Sequence, residues 1–159
     1  LWYVTKREAF PVPFLGRLIR KLHAIPIDRS RGDRGDLRTM ESQLKAGRAM
    51  LLFPEGTRNR SGRFLKPRSG VGMMVYRTWV PVVPVYLSGT VNVWKTMLGL
   101  DRVTVRFGPA LHFCPDHLPG RRKDAYHSIS KEVMHTIGNL GESDRSVGTV
   151  APAPRYLWG

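Results

Sequence analysis

The chain has 159 residues, enough for one domain with a hydrophobic core, and its single cysteine, Cys114, excludes an internal disulfide framework and any multi-cysteine metal site. The 26 lysines and arginines outnumber the 12 aspartates and glutamates, which gives a formal net charge of +14, concentrated in residues 1–80. Such a charge attracts nucleic acid, anionic lipid headgroups and phosphorylated substrates alike, so it does not choose among them. The longest apolar run, the nine residues 79–87 with two prolines, is too short to cross a bilayer.

The first segment predicts a strand followed by an amphipathic helix. Residues 1–5 are mostly aromatic or β-branched, which is typical of a strand, and that strand leads to Lys6. Pro11 and Pro13 predict the start of a helix that runs to about residue 22, with an apolar face and a basic face. This helix can lie in a membrane interface, although packing on the sheet is the commoner outcome for such a pattern.

The next segment predicts a second strand, a loop and a second helix. Residues 23–28 are predicted to form a short strand, and Arg29 directly follows it, before a glycine-containing, charged loop. Asp36 is a candidate N-cap for a helix through Ala46, and Gly47 is expected to end it. The predicted buried stripe of this helix consists of Leu37, Met40 and Leu44.

Residues 48–53 are almost wholly apolar, which predicts a central strand buried on both faces, as parallel strands are. The strand ends in a small charged loop, at the strand end where open α/β sheets bind ligands. In that loop Gly56 permits a positive φ and close approach to the backbone, and Thr57 and Arg58 offer a hydroxyl and a guanidinium suited to phosphate. Glu55 would repel a phosphate unless its carboxylate turns away and braces an arginine or backbone N–H groups.

Three sequence blocks together carry a family resemblance. Residues 53–58, Phe-Pro-Glu-Gly-Thr-Arg, resemble the signature block of the glycerolipid acyltransferases, the 1-acylglycerol-3-phosphate acyltransferase family. Residues 24–29 resemble the second block of that family and residues 80–85 resemble its fourth, in the family's order. The likeness extends from about Trp2 to about Leu111.

The resemblance implies an α/β fold with a mixed, mostly parallel sheet flanked by helices on both faces, within an acyltransferase domain of residues 1–140. It also implies transfer of a fatty acyl group from acyl-CoA or acyl-carrier protein to lysophosphatidate, with no cofactor and no metal. Glycerol-3-phosphate or another lysolipid is the alternative acceptor. The residues that would bind the substrate phosphate are Lys6, Arg29, Thr57 and Arg58. Phe53, Pro54, Glu55 and Gly56 would form the site loop.

The family's catalytic His-x4-Asp block belongs upstream of Leu1. We therefore expect no catalytic residue in this chain, a longer parent protein, and no significant turnover by the chain alone. His23 and Asp28 match the His-x4-Asp spacing, but they fall in the second block on a predicted strand, where residues five apart point to opposite faces. We interpret that match as a coincidence.

The remaining chain predicts two further helices and two strands. These elements are a short helix over 69–76 packed through its two glycines, strands over 80–86 and 102–107, and a helix over 123–137 with Tyr126, Ile129, Val133 and Ile137 inward. The Gly, Ser, Pro and Arg content of residues 141–159 predicts a disordered tail. His112, Cys114 and His117 match no standard metal-ligand spacing, so no metal site is expected, and Cys114 should be a buried apolar side chain.

Partners follow from the resemblance and the charge together. We expect lysophosphatidate or a related phosphorylated glycerol, an acyl thioester donor and an anionic membrane surface, with the protein peripheral on the cytoplasmic face. Nucleic acid is not expected because no nucleic-acid motif is recognisable. The alternative from another class is a non-catalytic basic module that binds anionic membrane or nucleic acid.

Overall fold

The computed structural model describes residues 1–6, 21, 24–27, 34–57, 64–89 and 102–145. The residues group into two compact units, Leu1–Phe53 and Pro54–Gly159. The domain predicted over residues 1–140 therefore contains the first unit and most of the second. The predicted helix before residue 23 lies outside the described residues except for Lys21, which is helical, and the apolar segment 91–98 lies outside them entirely.

The first unit contains a parallel sheet of three strands. Strand β1 spans Trp2–Lys6, β2 spans Ala24–Ile27 and β3 spans Met50–Leu51. Their order is β2-β1-β3, and both neighbours run parallel to β1. The described part of this sheet therefore has β1 at its centre.

The prediction of a central, doubly buried strand over residues 48–53 is wrong for the part of the sheet that is described. Here β3 is only two residues long and lies at the edge, next to β1 alone. Leu51 is 38% exposed and Phe53 is 65% exposed. An apolar run predicts that a strand is covered, but its place in the sheet depends on which other segments pair with it.

The first helix, α1, spans Arg34–Lys45. It begins two residues before Asp36, so this carboxylate lies in the first turn, where it complements the helix dipole, and is not the N-cap that the sequence predicts. Met40 is buried at 6% exposure, and Leu37 and Leu44 beside it are half-buried, so the predicted stripe is present.

Gly47 ends α1 as predicted. Its φ is +76°, and its N–H donates to the Leu44 carbonyl at 3.0 Å, while the Arg48 N–H donates to the Gln43 carbonyl at 3.1 Å. These two hydrogen bonds form a Schellman motif, which turns the chain sharply. The turn places the Arg48 guanidinium 5.1 Å from the centre of the Trp2 ring, so the start of β3 is held beside β1.

The second unit combines two helices with a two-stranded antiparallel ribbon. Helix α2 spans Gly70–Thr78 and α3 spans Arg122–Arg145. Strand β4 spans Val85–Ser88 and pairs with β5, Thr104–Phe107, in antiparallel register. A short 3-10 helix, Pro115–His117, precedes α3.

The core of the second unit lies between α2 and α3. The two helices pack antiparallel, because Gly72 contacts Ser130 whereas Tyr76, further along α2, lies with its ring 5.2 Å from the ring of Tyr126, which comes earlier in α3. A Cβ atom at Gly72 would overlap the Tyr126 carbonyl oxygen, and the Gly72 N–H donates to the fully buried Ser130 hydroxyl at 2.9 Å. The predicted packing through glycine is confirmed for Gly72. Gly70 has open space around it, so only one of the two glycines serves this contact.

Helix α3 is longer than predicted. Ile129, Val133 and Ile137 are buried, as the periodicity predicts, but the helix continues through residues 141–145. A Cβ atom at Gly141 would lie 2.8 Å from the Tyr86 ring, so this glycine lets α3 pack closely on β4 and is not the start of the predicted tail. The rest of that tail, residues 146–159, lies outside the described residues.

Candidate functional site

Two of the four predicted phosphate-binding residues are described. Lys6 is the last residue of β1 and pairs in register with Ile27, the last residue of β2, so the two parallel strands end at the same edge of the sheet. Thr57 belongs to the second unit and is exposed. Arg29 and Arg58 lie outside the described residues, so their predicted roles stay predictions.

Residues 54–57 of the signature block form a loop, called the signature loop, which is tied to a segment that follows it in the sequence. The Pro54 carbonyl accepts a hydrogen bond of 2.8 Å from the Arg68 N–H. One carboxylate oxygen of Glu55, Oε1, accepts a hydrogen bond of 2.9 Å from the Leu65 N–H. These two contacts lay residues 54–57 against residues 64–68.

Glu55 therefore has a structural partner that explains a carboxylate among groups that the sequence predicts to bind phosphate. Its side chain is half-buried and its negative charge is directed at a backbone donor ten residues further along the chain. The sequence predicts that Glu55 turns away and braces either an arginine or N–H groups of its own loop. The partner shown here is the N–H of Leu65, outside that loop. A charge-assisted hydrogen bond to a backbone N–H is a strong tie, so Glu55 holds the loop in place.

Gly56 adopts the positive φ that the sequence predicts, at +64°. A Cβ atom at this position would lie 2.8 Å from Cδ of Arg68, which shows that the Arg68 side chain passes directly over the glycine. Sequence reasoning missed Arg68. The available signal was a basic residue immediately before the helix predicted over residues 69–76 and within the segment that follows the signature loop.

The other predicted candidates lie apart from the signature loop in sequence. Cys114 is half-buried, with Sγ 2.8 Å from Nδ1 of His117, so the prediction of a buried apolar cysteine is wrong. The reason is the 3-10 turn Pro115–His117, which brings the imidazole back to the thiol. Among the described residues, no three His, Cys, Asp or Glu side chains are grouped as metal ligands. His23 and Asp28 lie outside the described residues.

Helix α3 is the longest described helix, but it carries many charged residues. No helix within the described ranges is long and apolar enough to span a membrane.

Comparison with solved structures shows the fold. The chain resembles the crystal structure of the 1-acyl-sn-glycerophosphate acyltransferase PlsC from Thermotoga maritima, with a TM-score of 0.68 and 23% sequence identity. The match covers 94% of this chain and 58% of that one. This likeness confirms the predicted α/β fold class.

Comparison with protein sequences shows the family. The 1-acyl-sn-glycerol-3-phosphate acyltransferase of Limnanthes douglasii is 30% identical over 155 residues, 92% of this chain and 53% of that protein. The protein of the same name from Bacillus subtilis (strain 168) is 28% identical over 144 residues, 87% of this chain and 71% of that protein. The chain spans about half the length of the Limnanthes relatives that it matches. Because the acyltransferase family model matches residues 1–88, more than half of the chain, this chain belongs to the acyltransferase family.

Proposed function

We propose that this chain is part of an enzyme that transfers a fatty acyl group from an acyl thioester, acyl-CoA or acyl-carrier protein, to the free hydroxyl of lysophosphatidate. The observation that carries the proposal is the family match over residues 1–88, because this range contains every residue predicted for the phosphate site and its loop. Relatives named as 1-acyl-sn-glycerol-3-phosphate acyltransferases occur in plants and bacteria, which supports this acceptor.

The protein positions the acceptor substrate by binding its phosphate group. Under this proposal Lys6, Arg29 and Arg58 supply cations and Thr57, an exposed residue, supplies a hydroxyl. Glu55 keeps the loop in place through its hydrogen bond from Leu65. Charge-assisted hydrogen bonds to the phosphate fix the acceptor, so that its free hydroxyl is held near the thioester carbonyl. Holding two reactants in this way supplies a large effective concentration.

The chemical step needs a general base. The base takes the proton of the acceptor hydroxyl while the hydroxyl oxygen attacks the carbonyl carbon of the thioester. A carbon–oxygen bond forms and the carbon–sulfur bond breaks. The sulfur leaves as a thiol, which carries away a proton. We propose that a His in a His-x4-Asp block upstream of Leu1 is this base, and that the Asp orients it. His23 has no part in the reaction under this proposal.

The substrate is an amphiphile, so the enzyme meets it at a membrane. The net charge of +14 attracts an anionic lipid surface, and the amphiphilic substrate is the reason to choose this surface over nucleic acid. We propose peripheral association with the cytoplasmic face and no nucleic-acid partner.

The test is acyl transfer by purified protein that includes the sequence preceding Leu1. Acyl-CoA and acyl-carrier protein are each offered with lysophosphatidate, glycerol-3-phosphate and lysophosphatidylcholine, and the products are separated by chromatography. We expect phosphatidate from lysophosphatidate as the main product. A preference for glycerol-3-phosphate or lysophosphatidylcholine would move the proposal to that acceptor. Failure to acylate any acceptor, together with tight binding to duplex DNA at moderate salt, would replace it with the basic-module alternative.

A further inference from the structure

We propose that Arg68 is a further phosphate-binding residue, held over Gly56 of the signature loop so that its guanidinium reaches the acceptor phosphate. The inference rests on the proposed function, since it adds a contact to the phosphate site of that reaction. It assigns a binding role to a residue that neither the motif spacing nor the family resemblance singled out.

The first observation is the contact between Arg68 and Gly56. The ideal Cβ position at Gly56 lies 2.8 Å from Cδ, 3.6 Å from Cγ and 3.5 Å from Nε of Arg68. The aliphatic part of the arginine thus lies on the backbone of the loop, and the guanidinium begins directly beside it. Thr57, an exposed residue that carries a hydroxyl, is the next residue of the loop.

The second observation is that hydrogen bonds of backbone N–H groups fix the position of the Arg68 main chain. Its N–H donates to the Pro54 carbonyl at 2.8 Å, and the Glu55 carboxylate holds Leu65 at 2.9 Å three residues earlier. The Cα of Arg68 is therefore placed by hydrogen bonds of the Leu65 and Arg68 backbone N–H groups, which do not depend on the Arg68 side chain. Arg68 is also exposed, so a ligand at the loop can reach its guanidinium.

The third observation is electrostatic. Arg68 lies two residues before α2, whose N-cap Ser69 makes no side-chain capping bond and whose first turn has no acidic residue. A cation at a helix N-terminus is opposed by the helix dipole, so this position is unfavourable for an arginine whose only role is structural. A bound phosphate compensates the same charge. A residue that opposes a local preference is expected where function requires it.

The chemistry of the contact follows from the shape of arginine. A guanidinium donates two parallel hydrogen bonds to two oxygens of one phosphate, which fixes the orientation of the phosphate as well as its position. A lysine at the same place supplies the charge without this fork.

The experiment uses Arg68→Gln and Arg68→Lys in protein that includes the sequence preceding Leu1. Calorimetry measures binding of lysophosphatidate, below its micelle concentration, and of monoacylglycerol, which lacks the phosphate. We expect Arg68→Gln to weaken lysophosphatidate binding about 10- to 100-fold, the scale of a charged hydrogen bond. Arg68→Lys should lie between Arg68→Gln and the parent. Monoacylglycerol binding should be unchanged in both variants.

The matched control is Arg122→Gln, which removes one exposed cation from the start of α3. Because Gly72 packs on Ser130 and Tyr76 on Tyr126, Arg122 lies near the C-terminal end of α2, opposite to Arg68. This variant should bind lysophosphatidate as the parent does.

The outcomes separate this inference from the proposed function. Parent protein that acylates lysophosphatidate, with an Arg68→Gln variant of unchanged affinity, would overturn the role of Arg68 and leave the function standing. Equal losses for lysophosphatidate and monoacylglycerol, or a lowered unfolding temperature in Arg68→Gln, would show that Arg68 only supports the loop and would also overturn it. Parent protein that neither binds nor acylates lysophosphatidate would remove the proposed function itself.

Discussion

Replacing Glu55 with alanine separates the structural role of this carboxylate from a direct effect on the ligand. The substitution removes the acceptor of the 2.9 Å hydrogen bond from Leu65 and leaves that N–H without this partner. An unsatisfied buried donor costs about 1–3 kcal/mol, and because Glu55 is only half-buried we expect a loss of about 1–2 kcal/mol. The free energy that keeps residues 54–57 against residues 64–68 should fall by this amount.

Amide hydrogen exchange at Leu65 measures the loosening directly. A loss of about 1–2 kcal/mol raises the population of the open state about 5- to 30-fold, so the Leu65 amide should exchange faster by that factor in Glu55→Ala. Glu55→Gln is the matched control, since its amide oxygen still accepts the hydrogen bond while the charge is removed. Exchange in this variant should stay close to that of the parent.

The direction of the change in lysophosphatidate affinity decides whether Glu55 holds the loop or faces the ligand. If Glu55 holds the loop, Glu55→Ala weakens binding even though it removes a negative charge near a phosphate, and Glu55→Gln leaves binding equal or slightly stronger. If Glu55 faced the ligand, both variants would bind more tightly because a repulsion is lost. Tighter binding by Glu55→Ala, with unchanged exchange at Leu65, would refute the structural role.

Three further predictions concern the helix pair, the phosphate site and the base. Gly72→Ala should lower the free energy of unfolding, measured in urea, by about 3 kcal/mol or more, because the new Cβ would overlap the Tyr126 carbonyl oxygen. Gly70→Ala, which has open space around it, should be neutral or stabilising by up to about 1 kcal/mol. Equal effects of the two substitutions would contradict the packing of α2 on α3 through Gly72. Arg58→Lys should weaken lysophosphatidate binding in calorimetry by about 1.5–3 kcal/mol through loss of the forked contact, and a folded variant of unchanged affinity would remove Arg58 from the site. In protein that includes the sequence preceding Leu1, His23→Ala should keep acyl transfer within a few-fold of the parent, whereas loss of the predicted upstream His should cost about 10²–10⁴-fold; robust transfer that depends on His23 would identify it as the base.

The sequence by itself determined the features that depend on near neighbours along the chain. Gly47 ends α1 because only a residue tolerant of positive φ completes the turn, and Gly56 supplies the same freedom in the signature loop. The buried stripe of α3, seen in Ile129 and Val133, follows from the helical period. The family could be read from short ordered blocks, because each block is a run of neighbouring residues in the sequence.

Only the tertiary structure decided which distant segments meet. Within the described residues, β3 lies at the edge of the sheet because it pairs with β1, and Glu55 accepts a hydrogen bond from a backbone N–H ten residues away. Arg68 is identified as a candidate because its side chain passes over Gly56. The two residues are twelve positions apart, and no periodic pattern in the sequence predicts this contact. The extension of α3 through Gly141 has the same cause, since glycine is unfavourable in a helix by propensity but is needed here for contact with the Tyr86 ring.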